Sequence, residues 1–278
     1  MSLHRDDLFS LDGRTAVVTG ANGFLGRTLS EVLLVNGARV VAIGRSDSLE
    51  DVGADWTARF GADRVGTVRV DLHDAAALDA ALRELAAREE RVDVLVNNAH
   101  EMGPATGFNV PEGTLEDAGE DQWLRNLAGG TLWPAATLRL LGDRLKQAHG
   151  SIVNVASMYA VVAPSPQLYE GMAFRNPPGY SAAKAAMLAL TRYAAAWWGP
   201  HGVRANAILP GPFSNTQTAG PNAVASEDPF LDRLRARTAL GRVGTPPELA
   251  GALLLLASDA GSFMTGHALV VDGGWTIT

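Results

Sequence analysis

The sequence predicts an α/β fold, a doubly wound parallel sheet of about seven strands with helices on both faces. Two observations carry that expectation. Short β-branched runs alternate with longer alanine- and leucine-rich segments from Thr15 to the C-terminus, and a glycine-rich stretch, T-G-A-N-G-F-L-G, joins the first such run to the first helical segment. With 278 residues, 47% hydrophobic and 19% charged, the chain can bury a substantial core.

In chain order, strands are expected at Thr15–Thr19, Arg39–Ile43, Val65–Val70, Val92–Asn97, Ser151–Ala156, Val203–Leu209 and Ala268–Asp272, where β-branched residues cluster between turn signals. Helices are expected at Leu25–Val35, Asp74–Arg88, Gln122–Leu145, Tyr180–Trp198 and Pro246–Ser258, the last opening with prolines that suit a first helical turn. Residues 101–120, 158–179 and 211–228 break this rhythm, being rich in Gly, Pro, Asn and Ser. Each follows an expected strand directly, which places a loop at the C-terminal strand ends, where open α/β sheets bind ligands. No linker, charge block or repeat divides the chain, so residues 1–278 are expected to form a single domain.

Several classes are excluded by composition. A net charge of −7, from 23 basic and 30 acidic residues, offers no footprint for nucleic acid or an anionic membrane. The absence of cysteine removes disulfides, thiolate catalysis and cysteine metal sites. Six scattered histidines lack ligand-like spacing, so no metal is expected. The N-terminal M-S-L-H-R-D-D-L-F-S carries acids where a signal peptide needs an apolar run, and the longest apolar run, Leu249–Ala257, is far short of a membrane span. A soluble, cytoplasmic protein acting on a small molecule is expected.

Within Thr19–Gly26, glycines at Gly20, Gly23 and Gly26 let the backbone turn tightly and approach a pyrophosphate, with Asn22, Phe24 and Leu25 completing the turn. The following helix presents free N–H groups and a positive dipole end. Lying between first strand and first helix, this is the dinucleotide cradle of a Rossmann-type fold. At the end of the second strand an acid would bind the ribose hydroxyls of NAD; here Gly44 is followed by Arg45, whose guanidinium can pair with a 2′-phosphate. NADP is therefore expected over NAD, although Ser46 or Ser48 could serve ribose in an NAD enzyme. Asp71 and Leu72, ending the third strand, are candidates for the adenine, with a helix N-cap as the alternative for Asp71.

Tyr180 and Lys184 stand in Y-S-A-A-K, on one face of a helix by their i, i+4 spacing. A phenol titrating near about 10 is a poor base at neutral pH, and an adjacent ammonium and an oxidised nicotinamide both favour the phenolate. Ser157, ending I-V-N-V-A-S, can donate to a substrate carbonyl. Asn126 can hold a water linking Lys184 to solvent.

Together these elements resemble the single-domain branch of the short-chain dehydrogenases/reductases, from about Leu11 to the final residues. Further shared motifs are N-N-A at Asn97–Ala99, P-G at Pro210–Gly211 and V-D-G-G-W at Val271–Trp275. The resemblance implies hydride transfer between a nicotinamide and a carbonyl or alcohol carbon, with Tyr180 as acid/base, Ser157 orienting the oxygen, Lys184 binding the nicotinamide ribose and lowering the tyrosine pKa, and Asn126 supporting a proton relay. It also implies that Asn98 and Ala99 flank the adenosine ribose, Pro210, Gly211 and Phe213 the nicotinamide, and Thr216 its carboxamide.

The chain departs from that pattern in three places. The middle glycine comes one place early, where the single-domain branch would have it at Phe24. The resulting T-G-x-x-G-x-x-G is shared with the larger sugar-nucleotide-modifying branch and with a small subgroup that keeps the ordinary tetrad. His100 replaces the usual glycine after N-N-A, bringing an imidazole and Glu101 near the cleft. The interval from Ser157 to Tyr180 is longer than usual and holds Tyr159, Tyr169, Glu170, Phe174 and Arg175. His100, Tyr159, Tyr169, Glu170 and Arg175 are thus candidate substrate contacts, for a polar, sugar-like or acidic substrate. The rival tyrosine, Tyr169, has Ala173 four residues on and lacks a lysine. The helix Tyr180–Trp198 is apolar around much of its circumference, and family members associate through this region, so a homotetramer is expected first and a homodimer second. The alternatives are a sugar-nucleotide epimerase or dehydratase of the extended branch, and a non-catalytic dinucleotide-binding protein.

Overall fold

The computed structural model describes residues 4–214 and 228–278. Seven strands form one parallel sheet: β1 (Thr15–Thr19), β2 (Arg39–Gly44), β3 (Val65–Arg69), β4 (Val94–Asn97), β5 (Ser151–Val155), β6 (Arg204–Pro210) and β7 (Ala268–Val271). Their order is β3-β2-β1-β4-β5-β6-β7. The winding reverses between β1 and β4, and the crevice outside their carboxyl ends is where such a sheet takes a ligand. All seven expected strands are present, with ends shifted by at most two residues.

The helices are α1 (Arg5–Phe9), α2 (Phe24–Val35), α3 (Ser48–Phe60), α4 (Ala75–Arg88), α5 (Glu120–Leu127), α6 (Trp133–Ala148), α7 (Pro178–Trp198), α8 (Pro229–Arg237) and α9 (Ala250–Ala257). Strand residues bury both faces alternately. Ala16, Val18, Val40, Ala42, Val94 and Val96 face α2, α3 and α9 through Leu29, Leu33, Trp56 and Leu253. Val17, Val41, Leu95 and Ile152 face α4, α6 and α7 through Leu82, Leu85, Leu141, Leu145 and Ala194. The helix starts have identifiable causes: Asp74 caps α4 by accepting from the N–H groups of Ala76 and Ala77, and Pro178 lies in the first turn of α7.

Several elements differ from the sequence expectation. The single helix expected at 122–145 is two helices joined by a π turn at Ala128–Leu132. Gly130 explains the break, because a Cβ there would stand 2.4 Å from the Ala183 carbonyl oxygen on α7; the backbones meet where a regular helix with a side chain would collide. The expected helix 246–258 opens as a 3₁₀ turn, Pro246–Leu249, closed by a Thr245–Glu248 capping box. Helices α1, α3 and α8 were not expected. In α3 only Leu49, Val52, Gly53 and Trp56 are buried, a sparse stripe interrupted by acids and glycine. Of the expected loop 211–228, Thr216 lies outside the described residues.

A buried polar chain ties the sheet to its helices. The Asn97 amide donates to Asn154 Oδ1 at 2.8 Å, and Asn154 Nδ2 donates to Thr191 Oγ1 on α7 at 2.8 Å. Thr137 of α6 donates to Asn97 Oδ1 at 2.8 Å. Removing the middle member strands buried groups on both sides, so Asn154→Ala is expected to cost about 2–4 kcal/mol of unfolding free energy, read as an earlier midpoint in urea.

Candidate active site

The crevice at the β1–β4 reversal is a cleft of about 700 Å³, a size typical of small-molecule sites. Its floor at one end is the turn from β1 into α2. Gly20 adopts φ +64°, and a Cβ on it would lie 2.9 Å from Ala99 Cα. A Cβ on Gly26 would stand 2.0 Å from the Gly20 carbonyl oxygen. Asn98 holds this turn by donating from Nδ2 to the carbonyls of Thr19 and Gly20, both at 3.1 Å. Its side chain is therefore committed to the cradle, while Ala99 beside it lines the cleft.

Gly20, Asn22, Gly23, Phe24, Leu25, Arg45, Asp71, Leu72, Asn98, Ala99, Pro210, Gly211 and Phe213 all line this cleft, and Gly26 packs beneath its floor. Asp71 closes a local turn by accepting from the His73 N–H at 3.0 Å, and the α4 cap is Asp74. At the end of β2 the Asn22 side chain occupies the space beside Gly44, where a Cβ would lie 2.4 Å from Asn22 Oδ1 and the amide would have to move. Asn22 Nδ2 donates to Ser46 Oγ and Ser48 Oγ at 2.6 and 2.9 Å, gathering two hydroxyls at the start of α3 beside Arg45.

The other end of the cleft holds Ser157, Tyr180, Lys184 and His100. Helix α7 delivers Tyr180 and Lys184, and the Lys184 ammonium sits 5.6 Å over the tyrosine ring. Lys184 is 3% exposed and donates to the Val155 carbonyl at 2.8 Å. Burial pushes its pKa from the ordinary 10.5 to about 7. Burial also raises the Tyr180 pKa, with the Ser157 hydroxyl opposing the rise. The sequence led to the expectation of a phenol lowered by the adjacent ammonium; in the protein alone burial sets the direction, which is upwards.

Asn126 is fully buried at the end of α5. Its Nδ2 donates to the carbonyls of Thr106 and Gln122 at 2.9 and 2.8 Å, which turns Oδ1 towards His100 Nε2 at 3.3 Å. His100 therefore carries its proton on Nε2. Its pKa falls to about 3, through burial first and the nearby Lys184 charge second, so the imidazole is neutral at working pH. The ring lies edge-on to Tyr180 at 5.0 Å, and Gly129 leaves room for it in the π turn, where a Cβ would come within 2.6 Å of Nδ1.

The remaining substrate candidates lie elsewhere. Tyr159, Tyr169 and Arg175 line a second cavity on the outer side of α7, and Glu170 is exposed outside both. Tyr169 packs against Phe174 and Phe230 at 6.2 and 5.4 Å, and Arg175 donates to the carbonyls of Met172 and Phe174. Apolar packing thus holds the Tyr169 ring and backbone carbonyls hold the Arg175 guanidinium, and neither residue lines the main cleft. Conversely, His73, Met102–Ala105 and Trp133 line the main cleft without any pattern in the sequence to mark them.

A family model described as enoyl-(acyl carrier protein) reductase, within the short-chain dehydrogenases/reductases, matches residues 20–276. The chain belongs to the short-chain dehydrogenase/reductase family. A galactitol 2-dehydrogenase of Rhizobium johnstonii is 36% identical over 96% of this chain and 97% of its own length. A D-threitol dehydrogenase of Mycolicibacterium smegmatis is 34% identical over 97% of this chain and 95% of its own. The crystal structure of a gluconate 5-dehydrogenase from Burkholderia cenocepacia J2315 in complex with NADP and tartrate matches with a TM-score of 0.79 at 31% identity, covering 99% of this chain and 100% of that one. The protein is accordingly a nicotinamide-dependent oxidoreductase, an NAD(P)-dependent dehydrogenase. Neither the epimerase or dehydratase alternative nor the non-catalytic one gains support from these relatives.

The lysine pKa has a measurable consequence. Between about 7 and 10.5 the unfolded chain keeps a proton on Lys184 that the folded protein has released, so stability rises with pH across that window. In the cofactor-free protein this contribution climbs at up to about 1.4 kcal/mol per pH unit. Chemical denaturation of Lys184→Met at pH 7.5 and 9.5, compared with wild type, is expected to lack that rise.

Proposed function

We propose that the protein interconverts a secondary hydroxyl of a polyol or sugar acid with the corresponding ketone, using NADP(H) in preference to NAD(H). The observation that carries the reading is the convergence of Ser157, Tyr180 and Lys184 at one end of the same cleft whose other end is the side-chain-free cradle at Gly20 and Gly26. The substrate class follows the galactitol, D-threitol and gluconate dehydrogenases among the relatives. The cofactor preference rests on Gly44, which supplies no ribose-binding acid at the end of β2, and on the Arg45 guanidinium that follows it at the cleft. Thr216, outside the described residues, keeps its proposed contact with the carboxamide.

The residues present fit a dinucleotide, since Gly20 and Gly26 have no room for a Cβ and the helix N-terminus beside them suits a pyrophosphate. When bound, the nicotinamide supplies or accepts the hydride. Ser157 Oγ donates to the substrate oxygen and fixes it against Tyr180. The Tyr180 hydroxyl passes its proton to that oxygen in reduction and recovers it in oxidation, a transfer worth about 10²–10⁴-fold. With its pKa raised, Tyr180 holds that proton at neutral pH and is poised as an acid. Lys184, titrating near about 7, holds the nicotinamide ribose and replenishes the phenol, while Asn126, oriented by His100, supports the relay behind it.

Cytoplasmic, single-domain subunits assembled as a homotetramer, or failing that a homodimer, complete the proposal. Supporting self-association, Tyr193 and Trp197 of α7 stack at 5.7 Å while 62% and 66% exposed. Among the described residues no helix is long and apolar enough to cross a membrane.

Two measurements test the reading. Tyr180→Phe is expected to lose at least about 10²-fold in turnover of a polyol and ketose panel, followed by nicotinamide absorbance, while NADPH binding is kept. In calorimetric titrations wild type is expected to bind NADPH more tightly than NADH, and Arg45→Ala to lose about tenfold in NADPH affinity with little change for NADH. Preference for NADH in the wild type would reverse the cofactor assignment.

A further inference from the structure

Glu101, one residue beyond His100, has no part in the hydride chemistry, yet side chains from three other segments meet at it. Its carboxylate accepts from Arg125 Nε at 2.8 Å and Nη2 at 3.0 Å, a two-pronged clamp from α5. His73 Nε2, from the turn after β3, lies 2.8 Å from Oε2. Arg45 Nη1, at the end of β2, lies 3.7 Å from Oε1. The glutamate side chain is 11% exposed and that of Arg45 is 55% exposed. The acid is thus held among its partners below the surface, whereas the guanidinium stands largely in solvent. Burial alone would raise the Glu101 pKa, but the Arg125 and His73 contacts outweigh it and lower it, so the carboxylate is ionised.

Topology gives this ion pair its meaning. In the sheet β1 lies between β2 and β4, so a contact from Arg45 to Glu101 spans two inter-strand spacings, about 10 Å, across the end of β1. The end of β1 is the glycine cradle. Arg45, His73 and Glu101 all line the same cleft, and the pair closes over its adenosine half.

We propose that Glu101 is a cofactor-specificity residue that acts through Arg45: it holds the guanidinium across the mouth of the cradle, and a 2′-phosphate must take Arg45 away from it. NAD(H) has no 2′-phosphate and does not need Arg45 released. Glu101 thereby tempers the preference for NADP(H) that Arg45 would otherwise confer, and Arg125 and His73 keep the glutamate in place while the arginine moves. The inference rests on the phosphate-pairing reading of Arg45.

The test is a set of calorimetric titrations with NADPH and NADH on wild type, Glu101→Gln, Arg45→Ala and the double variant. Glu101→Gln is expected to tighten NADPH binding about two- to fivefold, the range of a partly exposed ion pair. NADH affinity should hold within about 1.5-fold, which also reports an intact cradle. In the Arg45→Ala background the gain should vanish. Glu101→Asp, which withdraws the carboxylate from Arg45, should show a smaller gain in the same direction and serves if the glutamine variant folds poorly. NADPH affinity that is unchanged or weaker in both variants, an equal change for both cofactors, or a gain that survives without Arg45 overturns the proposal. An NADPH affinity indifferent to Arg45→Ala overturns the phosphate-pairing reading and this inference together, whereas an Arg45-dependent affinity indifferent to Glu101 overturns only the inference.

Discussion

The site depends on backbone crowding where β1 and β4 end. Gly26 has no room for a methyl group because the Gly20 carbonyl occupies that space, and Gly20 has none because the Ala99 backbone does. Without side chains at these points the first turn of α2 faces the crevice directly, and its free N–H groups become the polar floor of the cleft. The Asn98 amide, bonded to the carbonyls of Thr19 and Gly20, transmits the position of β4 to that floor. The Asn97–Asn154–Thr191 chain continues the link from β4 to α7. The helix carrying Tyr180 and Lys184 is thereby registered against the cradle by hydrogen bonds that a shift of one residue would break.

The cleft has two electrostatic halves. Around Tyr180 every ionisable group is biased towards neutrality by burial: His100 falls to about 3, Lys184 to about 7, and Tyr180 rises. At the other end the groups are paired, with the Glu101 carboxylate shared among Arg125, His73 and Arg45. The division falls between the adjacent residues His100 and Glu101. A reaction end with little fixed charge strengthens any charge that enters it, since little water or counter-charge competes, and places control of proton position on the bound molecules. The paired end does the opposite, setting its charges against one another away from the chemistry.

Much of this was legible in the sequence, and the limits have physical causes. The strands were readable because a parallel sheet buried on both faces demands continuous β-branched runs, and the cradle because only glycine tolerates those contacts. Ser157, Tyr180 and Lys184 were marked by motif and spacing, and the structure brings all three to the cleft. The π turn was hidden because its cause is the Ala183 backbone, 53 residues further along the chain than Gly130. Helix α3 was missed because its buried stripe is thin and interrupted by acids. The Glu101 cluster left no trace, since its members are separated in sequence and meet only through the strand order.

The long segment between Ser157 and Tyr180 bears on what kind of substrate the cleft takes. Its aromatic residues suggested a polar pocket wall, but Tyr169 and Phe174 instead build an apolar cluster with Phe230 of α8. Arg233 of α8 donates to the carbonyls of Leu168 and Glu170 and so fastens the segment from outside. The insertion therefore contributes rigidity, and the polarity needed for a hydroxylated substrate has to come from the cleft itself. Ser157 and Tyr180 supply it at the reacting carbon, and the segment Met102–Ala105 lies along the same wall. Ala105 and Met102 bring no charged side chain, so discrimination along that wall falls to backbone groups and shape rather than to an ion pair.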